Sequence, residues 1–391
     1  MNFIQQVYKG KNEWYLYVSA IIVLFIGWQV IGVIPLIIGA ILHSSGTGEF
    51  IRAAEDSFMT LGINKNLFLF LMILTFVGGL LALWVGVKYI HRRAFKTIIT
   101  SRDKIDWSRY WFGFMLWGSI ALVITLLSVY LTPETSTWNF KPVPFFTLLA
   151  VSFLFLPLQT SFEELLFRGY LMQGFAVGST SKKFPLIVTY LITSVLLYFF
   201  FDNVFEIGIF FKLIFVSVIF LLYAVMFWSE TIEPFFDSKL NKKLMFFFGK
   251  NLTPLLLTSV IFGLLHGANP EVEKLGYISM VFYIGTGLLF GIVTLMDEGT
   301  ELALGLHAAN NIIAAILVTT DWTAFQTDAL FIDTAEPSVG FEMFFPVLVL
   351  YPLMLFIFSK KYGWTNWKEK LTGKVREPLS DNYRIMDIGN E

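Results

Sequence analysis

The sequence has no cysteine, which removes disulfides, thiolate nucleophiles and cysteine-ligated metals and leaves the redox compartment open. Charge is scarce as well. Asp, Glu, Lys and Arg make up 15% of the 391 residues, and a net charge of -1 provides no basic excess to neutralise phosphates, so no nucleic-acid partner is expected. With four histidines in all, any metal would have to draw on those together with Glu, Asp or Asn. What fills the chain instead is apolar: 56% hydrophobic, 18% aromatic, mean hydropathy +0.69. Soluble domains are typically about 45–50% apolar. The composition therefore implies a multi-pass integral membrane protein.

Apolar runs fall near 15–42, 67–90, 110–131, 145–175, 184–201, 207–228, 253–268, 275–296, 302–318 and 342–359. About 20 apolar residues cross the hydrocarbon, and each crossing must be helical because lipid offers unpaired peptide groups no partner. The expected fold is thus an all-α transmembrane bundle of about 8–10 spans. The N-terminus MNFIQQVYKGKNEWYLYVSA lacks a short apolar segment followed by a cleavage site, so the first run is read as a retained span. Basic residues cluster at His91–Arg109, at Lys182 and Lys183, from Lys239 to Lys250 and from Lys360 to Arg376, all on one side under the ten-span count. That asymmetry puts both termini in the cytoplasm, with a bacterial cytoplasmic membrane as the expected location. The loop DEGTE at 297–301 is acidic yet falls on the same side, which is tolerable because acidic residues weigh little in orientation.

Three polar islands interrupt the apolar helices. In SFEELLFRGY, Glu164 and Arg168 are four apart and share a helical face, while Glu163 points about 100° away from Glu164. The two carboxylates are therefore expected to have different jobs. A solvated ion-pair face beyond the membrane is the competing reading. An immersed charge costs about 2.5–3.5 kcal/mol on insertion scales and is often retained for function. In SVIFGLLHGANP, Phe262 and His266 share a face; alone, such a histidine is commonly a helix end near the interface. In ELALGLHAANNI, His307 and Asn311 share a face flanked by the small residues Gly305, Ala308 and Ala309, as helix packing in membranes prefers. Two of the four histidines thus lie in apolar spans, each four residues from a second polar or aromatic position. His43, in a Ser/Gly-rich loop, and His91, in a basic loop, require no function.

Taken in order, E-E-x-x-x-R at Glu163, Glu164 and Arg168, F-x-x-x-H at Phe262 and His266, and H-x-x-x-N at His307 and Asn311 resemble the CPBP family, also called Abi or CAAX-protease-like intramembrane proteases. The resemblance implies an intramembrane endopeptidase acting on membrane-anchored or transmembrane protein substrates. It divides the chain into N-terminal helices at 1–143, a protease core at 144–320, and an extracytoplasmic loop, last span and cytoplasmic tail at 321–391. Two extra spans at about 184–228 depart from the family's usual short connection. Their charges are Asp202, Glu206 and Lys212, and an even number of added spans preserves the orientation of the later helices. As catalytic residues the resemblance implies Glu163, Glu164, His266, His307 and Asn311, with Arg168 and Phe262 in support. Glu163, free of the Arg168 pair, would be the general base, His266 would help to hold the water, and His307 with Asn311 would face the oxyanion. The family has been described both as metalloprotease and as glutamate-dependent. A zinc site from His266, His307 and Glu163 is chemically compatible, although the H-E-x-x-H helix of soluble zinc proteases is absent. A non-catalytic scaffold, or a transporter using the same polar cavity, is the alternative class.

Overall fold

The computed structural model describes residues 1–204 and 209–378. Glu206 lies outside the described residues, as do the side chains of Asp202 and Lys212 and the tail beyond 378. The described residues form ten principal helices in order: α1 (Trp14–His43), α2 (Lys65–Ile90), α3 (Trp107–Leu131), α4 (Pro142–Gly178), α5 (Phe184–Val204), α6 (Ile209–Trp228), α7 (Leu252–Leu265), α8 (Tyr277–Asp297), α9 (Glu301–Leu317) and α10 (Met343–Tyr362). Six of them, α1 to α4, α8 and α10, are long and apolar enough to cross a membrane. The shorter α7 and α9 have 14 and 17 residues. Their length has a physical reason. α9 is buried at 13 of its 17 positions, packed among α3, α4 and α8, and a helix walled by protein need not match the lipid thickness.

Local chemistry sets the ends and bends. Asn64 caps α2 by accepting from the Asn66 and Leu67 amides, and Asp106 caps α3 by accepting from that of Ser108. α1, α2, α4 and α10 each contain a π-turn, and the one in α4, Leu165–Leu171, begins directly after Glu164. The helix bearing the acidic motif is therefore not a uniform α-helix, and such turns are frequent at functional sites. α1 and α2 approach closely through glycine: a Cβ on Gly32 would stand 2.5 Å from the Thr75 carbonyl oxygen.

The helices run between two faces. On one, residues 1–12 and the segments 91–106, 297–301 and 363–376 interlock. Asp297 takes ion pairs from Arg102, at 3.0 Å, and from Arg109, and Glu301 takes Arg102 at 3.1 Å, while Glu298 takes Lys370 at 2.9 Å. The acidic DEGTE loop thus stands on the basic face as its counter-charge. His91 and Arg93 are not loop residues in solvent. Both are buried, His91 between the Lys11 carbonyl and the Tyr170 hydroxyl at 2.8 Å each, and Arg93 against Gln173 at 2.8 Å. On the other face a small sheet joins three loops, with β3 (Phe331–Asp333) between β1 (Ser136–Trp138), antiparallel, and β2 (Val318–Thr319), parallel. The inserted α5 and α6 pack on each other through Tyr190, Phe220 and Tyr223, and α6 ends against Trp14.

Candidate active site

Glu163, Glu164 and Arg168 lie in the interior of the bundle. Glu164 and Arg168 are fully buried and Glu163 nearly so, which removes the reading of a solvated ion-pair face. Arg168 reaches Glu164 Oε1 at 3.0 Å across the π-turn and donates to the Gly287 carbonyl of α8 at 3.1 Å. Its guanidinium also stands over the Phe262 ring at 4.3 Å and the Phe290 ring at 5.3 Å. A buried guanidinium in such a cage is held by hydrogen bonds and ring faces together.

His307, from α9, comes between the two carboxylates. Its Nδ1 donates to Glu164 Oε1 at 2.8 Å, because a carboxylate can only accept. Its Nε2 then faces Glu163 Oε2 at 3.5 Å, and Phe290 stacks on the ring at 5.1 Å. The carboxylates do have different surroundings. Glu163 Oε1 accepts from the Gln159 amide at 2.7 Å, whereas its Oε2 is buried with no hydrogen-bond partner.

Gln159 begins a chain of amides. Asn311 donates to Gln159 Oε1 at 3.0 Å, Asn310 donates to Asn311 Oδ1 at 3.1 Å, and the Trp117 indole donates to Asn310 Oδ1 at 3.1 Å. Each donor in the row fixes the orientation of the next, so the position of Glu163 is set from α3 and α9 as well as from its own helix. Sequence reasoning missed Gln159, Asn310 and Trp117. The signal for Gln159 was its place four residues before Glu163, on the same face.

His266 caps the end of α7, where its Nδ1 donates to the Phe262 carbonyl at 2.8 Å and its ring stacks on Tyr283 at 4.5 Å. The Phe262 ring contacts both imidazoles, 4.7 Å from the ring of His266 and 6.1 Å from that of His307. All of Glu163, His266, His307 and Asn311 line one cavity of about 690 Å³, and no described residue of α5 or α6 does. Glu164 and Arg168 sit behind this wall. Among the described residues no three His, Asp or Glu side chains are grouped to hold a metal, so the arrangement does not supply the three protein ligands of a catalytic zinc site.

Comparison with known proteins gives this geometry a family. Residues 215–313 match the type II CAAX prenyl endopeptidase Rce1-like family, a family of proteases. Over that segment the chain is similar to CAAX-type proteases, and six of its helices are long and apolar enough to cross a membrane. The matched segment carries Phe262, His266, His307 and Asn311, while the acidic motif lies outside it. Over 355 residues the chain is 24% identical to the uncharacterized protein YyaK of Bacillus subtilis (strain 168), covering 89% of this chain and 93% of that one. No solved structure matches.

Proposed function

We propose that this CAAX-protease-like protein is an intramembrane endopeptidase that hydrolyses peptide bonds of membrane-associated substrates with a water activated by Glu163. The observation that carries this reading is the asymmetry of that carboxylate, on a residue that lines the cavity: Oε1 is held by Gln159, while Oε2 is buried without a hydrogen-bond partner, 3.5 Å from His307 Nε2. An oxygen so placed can take a proton from water as the water attacks a carbonyl carbon, and can return it to the leaving amine. The Nε2 of His266, free of the bond that ties Nδ1, is available to orient that water. For the tetrahedral oxyanion the available donors are the second amide hydrogen of Asn311 and, in its doubly protonated form, His307 Nε2–H. Glu164 holds His307 in this orientation, and Arg168 neutralises Glu164. We place the protein in a bacterial cytoplasmic membrane, in keeping with its Bacillus relative.

Glu163→Gln tests the assignment, because it retains the bond to Gln159 in one amide orientation and removes the base. Hydrolysis of a lipid-anchored fluorogenic peptide in proteoliposomes should fall by about 10²–10⁴, the usual worth of a general base, with thermal unfolding little changed. Full activity in Glu163→Gln would exclude this mechanism. A wild-type protein inactive on every anchored peptide would favour a scaffold or transporter.

A further inference from the structure

The two faces of the bundle differ in charge, and the cavity leads to one of them. The basic segments 91–109, 182–183, 239–250 and 360–376 share a face, joined by the Asp297 cluster, by the bond from Asn241 to the Lys182 carbonyl at 2.8 Å and by the Lys250–Lys374 bridge. The opposite face carries the loops 44–64, 132–141, 266–276 and 318–340, where Arg52, Lys141 and Lys274 are the described basic residues, with Lys65 at the start of α2. Those loops are tied together in turn. Asn66 bonds to the Pro144 carbonyl at 2.9 Å and to Asp328 at 3.2 Å, Thr334 bonds to the Thr135 carbonyl at 2.9 Å, and the Ala324 amide donates to Glu271 at 3.0 Å.

From Glu163 and His307 the cavity extends past Tyr283 to Lys65, Glu271 and the loop 323–327, and none of its lining residues comes from the basic segments. Towards the basic face it is closed by Glu164, Arg168 and Phe290, all buried. Basic loops are retained in the cytoplasm. We propose that the site is entered from the extracytoplasmic side, so that its substrates are membrane-anchored peptide segments presented there, and that a lipidated tail exposed at the cytoplasmic face does not reach Glu163. The substrate clause rests on the peptidase reading above; the direction of entry does not.

The absence of cysteine makes a direct test possible. Single cysteines are introduced at Glu134, exposed on the poorly basic face, at Lys104, exposed on the basic face, and at Ala314, which lines the cavity. Each variant is treated with a membrane-impermeant charged thiol reagent in intact bacterial cells and in inverted vesicles. Glu134→Cys and Ala314→Cys should react in intact cells and lose that reaction in inverted vesicles, and Lys104→Cys should do the reverse. Labelling of Ala314→Cys from the Lys104 side overturns the proposal, as does labelling of Lys104→Cys in intact cells. Ala314→Cys reacting with neither orientation while a lipid-soluble maleimide modifies it overturns an aqueous entry.

In proteoliposomes of fixed orientation, a lipid-anchored peptide should be cleaved when displayed on the Glu134 side and spared on the Lys104 side; the opposite result overturns the substrate clause. Cleavage on neither side removes the peptidase reading and the substrate clause with it, and the labelling then decides the direction of entry by itself.

Discussion

Arg168→Met should be more destabilising than any other single change at the site. Methionine keeps a long flexible side chain in the cage of Phe262 and Phe290, so little packing is lost and the change isolates the charge. What remains is a fully buried Glu164 whose Oε2 already has no hydrogen-bond partner and whose Oε1 keeps only His307. Removing one partner of a buried ion pair costs about 3–5 kcal/mol. The Gly287 carbonyl, which accepts from Arg168 at 3.1 Å, loses its side-chain donor as well, a penalty of about 1–3 kcal/mol that overlaps with the first. A loss of about 3–5 kcal/mol in total is therefore expected. Removing both charges behaves differently, because an apolar or neutral replacement of a buried pair is often close to neutral. Glu164→Gln combined with Arg168→Met should therefore cost less than the sum of the two single changes, with a coupling of at least about 1–3 kcal/mol in a double-mutant cycle. The assay is denaturant unfolding in mixed micelles followed by tryptophan fluorescence, with peptide turnover in parallel. Strict additivity, or an Arg168→Met protein within about 1 kcal/mol of wild type, would show that the pair does not hold the bundle as described.

Gln159→Leu removes the donor that fixes Glu163 Oε1, and misplacing a reacting group by about 1 Å can cost on the order of 10²-fold; kcat should fall with KM nearly unchanged, and an unaltered kcat would remove Gln159 from the site. Burial holds the His91 imidazole down at about 4, against an ordinary value near 6.5, so the protein should lose up to about 3 kcal/mol of stability as pH falls from about 6.5 to about 4. The sign is set by the unfolded chain, which below 6.5 takes up the proton that the folded state refuses; His91→Asn should flatten this acid limb of the stability profile, and an identical limb in the variant would assign it to other groups. Because among the described residues no three His, Asp or Glu side chains are grouped to hold a metal, dialysis against a zinc chelator should leave turnover and unfolding unchanged, whereas a loss restored by zinc alone would show that the ligands rearrange.

How much of this was legible in the sequence depends on which force set each feature. The long spans were readable because their apolar runs answer to lipid thickness, a constraint that acts on each helix separately. α9 was harder because its surroundings are protein: 17 residues suffice, and Glu301, His307 and Asn311 can be buried along it, since other helices rather than lipid meet them. Loop charge was readable as a total but not residue by residue. His91 and Arg93 look like solvated members of a basic run, yet Tyr170 and Gln173, nearly 80 positions away, draw both into the interior.

The site shows the same division. Spacing of four residues announced Glu164 with Arg168, and that pair survives the π-turn that spacing could not reveal. Local periodicity could state that Glu163 does not share the face of Arg168, but it could not state what Glu163 meets instead. That required α3 and α9: the row from Trp117 through Asn310 and Asn311 to Gln159 consists of amides and an indole, residue types with no charge to attract notice in a sequence, arranged so that each hydrogen bond has one possible direction. Such a row can orient a carboxylate inside an apolar bundle without adding a charge that would have to be buried beside it. Arg168 already neutralises Glu164, so a second cation next to Glu163 would hold the carboxylate as an ion-pair partner and weaken it as a proton acceptor. Neutral donors fix its geometry without making it half of an ion pair. The residues that sequence reading passed over are thus the ones whose lack of charge suits them to the task.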